Sequence, residues 1–287
     1  MMKKTVLITG TNSGFGKLTT KLLSEKGYTI YAAMRNTTTK NAEPASELAK
    51  WDCVTVIDLD VTDTDAVNSA VKEIILKEGK LDVLVNNAGV FTSGITESFT
   101  EDDFEKILDV NVKGPWRLLR AALPHFREQK EGLIINVSSG LGRFSAPFMT
   151  IYNSSKFALE GLIEGSHYEL KSLGVENVLV QPGAFPTELA VKTVMGSDGS
   201  VLGGYGEIAE FPSKIGESLH QLFSSDMAPN PNLVAEAIVD LIEAPKGERA
   251  LRTVVDPLTG KFTEKANEEV FTQYKGFLNA FGMDQLL

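Results

Sequence analysis

Short apolar runs rich in β-branched residues alternate with longer amphipathic segments along most of this chain, and that alternation leaves few architectures open. The runs are Thr5–Thr9, Thr29–Ala33, Val54–Leu59, Val83–Asn86, Leu133–Val137, Val175–Val180 and Leu251–Val255. They are continuous rather than alternating in hydrophobicity, as strands are when helices cover both faces of a sheet. Helices are predicted at about Gly16–Lys26, Thr64–Glu78, Glu101–Gln129, Thr150–Leu173 and Asn232–Ile242, with Pro115 expected to divide the third. Strand–helix units in series predict an α/β protein with a doubly wound parallel sheet of about seven strands. Its helices lie on both faces, and residues 1–287 form one domain.

Two segments depart from this rhythm. Residues 184–231 include MGSDGSVLGGYGEIAEFPS, rich in glycine, proline and serine, with weak helical periodicity. A connection of this length in a compact domain reads as a substrate-binding loop or lid. Residues 259–287, rich in phenylalanine and mixed charge, read as a C-terminal extension.

Composition removes several function classes. A net charge of -10 and a pI near 5.0 argue against nucleic acid and anionic membrane surfaces, which select basic proteins. A single cysteine, Cys53, excludes an internal disulfide and suits a reducing compartment. His125, His167 and His220 are scattered, so no metal site is expected. The opening MMKKTVLITG has too short an apolar run for a secretory signal and leads into a glycine turn; a soluble, cytoplasmic protein is expected.

The first strand runs into TGTNSGFG, with Gly10, Gly14 and Gly16 before a helix. Glycines at a strand-to-helix turn let the backbone approach a pyrophosphate, and the helix N-terminus offers free N–H groups and partial positive charge. The fourth strand ends in Asn86, Asn87, Ala88 and Gly89, placing small and amide-bearing residues at the carboxyl edge of the sheet. Further along, TIYNSSKF puts Tyr152 and Lys156 four residues apart, on one face of a predicted helix. A phenol is a poor acid–base catalyst near its ordinary pKa of about 10, and an adjacent ammonium is expected to lower it.

Taken in order, TGTNSGFG, Asp60-Val61, NNAG, Asn111, Ser138-Ser139, Tyr152-x-x-x-Lys156 and Pro182-Gly183 resemble the short-chain dehydrogenase/reductase family in its single-domain, Rossmann-type form. The resemblance runs from Thr9 to Gly183 and says little about the chain beyond Thr187. It implies Asn111, Ser139, Tyr152 and Lys156 as catalytic residues, with Ser139 chosen by its gap to the tyrosine and Ser138 the alternative. Tyr152 would exchange a proton with a carbonyl oxygen that the Ser139 hydroxyl also binds. Lys156 would hold the nicotinamide ribose, and Asn111 would position a relay water. The cofactor would rest against Gly10, Asn12, Ser13, Gly14, Phe15, Gly16, Arg35, Asp60, Val61, Asn87, Ala88, Gly89, Tyr152, Lys156, Pro182, Gly183 and Thr187.

The second strand ends AAMRN, with Met34 and Arg35 where relatives that use NAD carry an acidic residue, so NADP(H) is favoured over NAD(H). No carboxylate is expected to oppose Arg35. Val90, Phe91, Leu141, Phe144, Phe148 and Phe185 suggest an apolar pocket for a hydrophobic ketone, aldehyde or alcohol. The alternatives are an NADP-sensing protein without turnover and a sugar-nucleotide epimerase or dehydratase of the extended branch, which usually has a GxxGxxG turn and a longer C-terminal domain. The resemblance also implies a homodimer or homotetramer paired through the long helices Glu101–Gln129 and Thr150–Leu173.

Overall fold

In the computed structural model, which describes residues 3–287, the strands form one all-parallel sheet in the order β3-β2-β1-β4-β5-β6-β7. Met1 and Met2, part of the opening discussed above, lie outside the described residues. The strands are β1 (Thr5–Thr9), β2 (Thr29–Met34), β3 (Val54–Asp58), β4 (Val83–Asn86), β5 (Gly132–Val137), β6 (Val175–Pro182) and β7 (Arg252–Val255). The helices are α1 (Gly14–Glu25), α2 (Ala42–Leu48), α3 (Thr64–Glu78), α4 (Glu101–Leu108), α5 (Gly114–Gln129), α6 (Thr150–Lys171), α7 (Glu188–Val191), α8 (Phe211–Phe223), α9 (Asn232–Glu243) and α10 (Gly260–Ala280).

Alternation of side chains along each strand explains why the runs are apolar throughout. On β1, Val6 and Ile8 join one core with Leu23 of α1 and Val234 and Ile238 of α9. Leu7 points the other way, into a second core with Val67 and Val71 of α3 and Leu118 and Phe126 of α5. Both faces are therefore dry. The strand order reverses between β1 and β4, which opens a crevice at the carboxyl edge where open α/β sheets bind ligands.

Several elements differ from the reading above. Pro115 does not divide a helix: α4 passes into α5 through a π-helical turn, Asp109–Lys113, and the proline sits at the start of α5, where a missing N–H costs little. Helix α2 went unread because it is short and buries only Ala45 and Leu48. The segment read as weakly periodic holds a 3-10 stretch, Gly199–Glu210, followed by α8, whose one buried residue is Pro212. The C-terminal extension is the helix α10, anchored by buried Gly260, Thr263 and Leu278.

Candidate active site

The turn between β1 and α1 is built by close backbone approach. Gly10 has φ of +68°, and a Cβ there would lie 2.8 Å from Ala88 Cα, so the turn rests directly on the segment after β4. Asn87 ties the two together: its Nδ2 donates to the carbonyls of Thr9 at 2.8 Å and Gly10 at 3.1 Å. Thr9 Oγ1 accepts from the N–H groups of Asn87 and Ala88, each at 3.0 Å. A Cβ at Gly16 would collide with Gly10 O and Asn87 Nδ2, so Gly16 serves packing and does not line the cleft. The N-cap Ser13 makes no capping hydrogen bond, which leaves first-turn N–H groups of α1 available to an anion.

A cleft of about 700 Å³ joins this turn to the carboxyl ends of β4, β5 and β6. It brings together Gly10, Asn12, Ser13, Gly14, Phe15, Arg35, Asp60, Val61, Asn87, Ala88, Gly89, Ser139, Tyr152, Lys156, Pro182, Gly183 and Thr187. At its rim one expectation fails. Asp60 opposes Arg35, with Oδ2 3.7 Å from Nη1, because β2 and β3 are hydrogen-bonded neighbours and set both ends side by side. Lys40 and Asn41 also line this end, and sequence reading missed them; Lys40 offered only its charge in a polar loop.

At the other end, Tyr152 and Lys156 share a face of α6. The Lys156 ammonium donates to the carbonyl of Val137 at 2.9 Å and lies 5.6 Å from the centroid of the Tyr152 ring. Phe91 packs edge-on against that ring, with centroids 4.8 Å apart. Burial pushes the Tyr152 phenol up to about 12, while the Ser139 hydroxyl beside it works the other way. Burial draws Lys156 down to about 8, and the Glu160 carboxylate resists that. The expected lowering of the phenol by the lysine is therefore not seen: desolvation dominates, and the ammonium is engaged with the β5 backbone.

Ser139 is the serine beside the phenol, and its Oγ accepts from the N–H of Leu141 at 3.1 Å. The Ser138 hydroxyl turns toward the Gly142 side. Asn111 does not line the cleft. It is buried in the π-turn, accepting from Val90 N–H at 2.8 Å and donating to Val90 O at 2.9 Å and Ser155 Oγ at 3.0 Å. Both its amide N–H groups are consumed in tying the loop after β4 to α6, so its side chain does not donate to a relay water. Of the apolar candidates, Val90, Phe91, Leu141, Phe144 and Phe185 line the cleft, while Phe148 stacks on Phe211 instead. Leu219 and Phe223 of α8 also line it; their four-residue spacing was a helical signal hidden in an otherwise polar segment.

Residues 4–196 match the profile of the short chain dehydrogenase family. A 3-ketodihydrosphingosine reductase of Bacteroides thetaiotaomicron is 37% identical over 187 residues, covering 65% of this chain and 66% of that protein. Human 17-beta-hydroxysteroid dehydrogenase type 1 is 36% identical over 254 residues, covering 86% and 76%. Among solved structures, ElxO with NADP bound superposes with a TM-score of 0.72 at 28% identity, covering 89% of this chain and 97% of that one. The chain belongs to the short-chain dehydrogenase/reductase family. It is an oxidoreductase of CH–OH and C=O groups that uses a nicotinamide cofactor.

Proposed function

We propose that this protein is an NADP(H)-dependent oxidoreductase that interconverts a ketone or aldehyde of large apolar body and its alcohol, with Tyr152 as general acid and base. The observation behind this reading is the convergence of Ser139, Tyr152 and Lys156 in the same cleft as the uncapped start of α1. The left-handed glycines and free N–H groups fit a pyrophosphate, held by Gly10, Asn12, Ser13, Gly14 and Phe15 with Thr187 opposite. Arg35 and Lys40 fit a 2′-phosphate, with Asp60 and Val61 beside the adenosine. Asn87, Ala88, Gly89, Pro182, Gly183 and Lys156 would flank the nicotinamide riboside. When bound, the nicotinamide supplies or accepts hydride at the carbonyl carbon.

The chain's own groups handle the proton. A phenol held near 12 is fully protonated at neutral pH and is a proton donor for reduction. The Ser139 hydroxyl donates to the same carbonyl oxygen as its charge develops. The Lys156 ammonium stabilises the phenolate left behind. Phe91, Leu141, Phe144, Met149 and Leu219 keep the site apolar, and the names of two of the relatives, 3-ketodihydrosphingosine reductase and 17-beta-hydroxysteroid dehydrogenase type 1, accord with such substrates.

The test is loss of reduced-nicotinamide absorbance across ketones graded from short aliphatic to long-chain and polycyclic. Each added buried methylene contributes about 0.8 kcal/mol, so kcat/KM should rise at least tenfold along the series. Failure of every member to react would overturn the reading.

A further inference from the structure

Behind the catalytic face lies a buried ion cluster that the chemistry above does not use. We propose that Glu160 is a positioning residue whose carboxylate, held by Arg252 and Gln181, keeps the Lys156 side chain in its ammonium form. This rests on the reading of Lys156 as the group that supports Tyr152.

Spacing places Tyr152, Lys156 and Glu160 at successive four-residue steps on one face of α6. All are buried, with Lys156 6% and Glu160 2% exposed. A carboxylate taken so far from water must be paired. Glu160 Oε2 accepts from Arg252 Nε at 2.8 Å and Oε1 from Gln181 Nε2 at 2.9 Å. Arg252 Nη1 also donates to Glu164 at 3.1 Å, and Asn267 of α10 donates to Gln181 Oε1 at 2.7 Å. The segment after β5 closes over this group only because Gly142 lacks a side chain: a Cβ there would lie 2.7 Å from Glu160 Cγ, 3.1 Å from Ser138 Oγ and 3.2 Å from Lys156 O.

A buried ion pair is weak evidence for stability, since well-packed apolar residues often serve as well. What calls for explanation is its place, one turn from Lys156. The charged and titratable groups facing this region are Tyr152, Glu160, Glu164, His167 and Tyr168 on α6, Arg143 after β5, Arg252 on β7 and Tyr274 on α10, with Asp256 in the adjoining cleft wall. Strands β5 and β6 add only the Val137 carbonyl and the Gln181 amide. Two of these groups are guanidiniums, so without Glu160 the ammonium would sit in a dry region of excess positive charge.

The experiment is the pH dependence of kcat/KM for carbonyl reduction in wild type, Glu160→Gln and Glu160→Gln/Arg252→Met. The amide keeps the shape of Glu160 and removes its charge, so the alkaline limb should move down by about one pH unit. The low-pH plateau should stay within about threefold of wild type. The double variant removes the pair together, strands no buried guanidinium, and should move the limb the same way by less. A lowered plateau with an unmoved limb in both variants would mean that Glu160 serves packing alone, and the inference fails. Tyr152→Phe separates the two levels: near-normal turnover there removes the catalytic reading itself, whereas its loss beside unmoved limbs removes only the role of Glu160.

Discussion

At the scale of single residues, cofactor choice is the sharpest question the site poses. Arg35 is more than half exposed and shares its charge with Asp60, while Lys40 stands in the same rim. A charge-assisted contact contributes on the order of 1.5–3 kcal/mol, so Arg35→Ala should shrink the preference for NADPH over NADH by about one to two decades. Because Lys40 remains, the double variant Arg35→Ala/Lys40→Ala should flatten it further. Adding Met34→Asp should favour NADH, since a carboxylate repels the phosphate and accepts from ribose hydroxyls. The check is kcat/KM with both cofactors in each variant; a ratio that Arg35→Ala leaves alone makes Arg35 a solvated cation. Tyr152 and Lys156 were legible because a four-residue helical spacing juxtaposes them whatever the tertiary structure. The Arg35–Asp60 pair was not, since it depends on which strands are neighbours, and neither was the fate of the Asn111 amide, spent on a loop backbone.

Among the elements, the strands were legible as β-branched apolar runs, even the half-buried β3 and β7, and α1, α3, α5, α6 and α9 were legible because each buries an apolar stripe, unlike the short α2. Helices α8 and α10 were not, because each buries only one to three residues and local periodicity then has little to report. The segment from Ala184 to Pro231 is proposed as a lid over cofactor and substrate. Only Phe185, Pro212 and Pro229 of it are buried, and the rest is held mainly by exposed contacts: Val194 and Asp198 donate to the carbonyls of Phe91 and Ser98, Ser197 donates to Asp103 at 2.6 Å and Tyr205 to Glu97 at 2.7 Å, and Phe211 stacks on Phe148 at 5.7 Å. Phe148 itself has φ of +64°, a strained backbone for a bulky residue. Segments with so few buried contacts open readily. Limited proteolysis should cut within residues 184–231 several-fold faster without NADPH than with it, and equal rates in the two conditions would count against a lid.

For the molecule as a whole, Phe104 of α4, Trp116 of α5, Phe157 of α6 and Leu173 in the turn after α6 are between 36% and 43% exposed. Apolar residues gathered on neighbouring long helices are the kind of surface that symmetric association covers. Light scattering should therefore show a dimer or tetramer; only a 31.2 kDa species would refute association. Among the described residues no helix is long and apolar enough to cross a membrane. The all-parallel strand order has a further consequence, for the time at which the cleft comes into being. Every neighbour pairing in the sheet is a crossover, so each must close a long loop before it gains anything, and such topologies fold slowly. The glycine turn is made early in synthesis, but the cleft wall also needs Pro182, Thr187 and Asp256. A ribosome-bound chain lacking β6 and β7 presents the start of α1 without the surface that faces it. A cofactor that rests against both walls is therefore expected to add its full stabilisation only after β6 and β7 have joined the sheet.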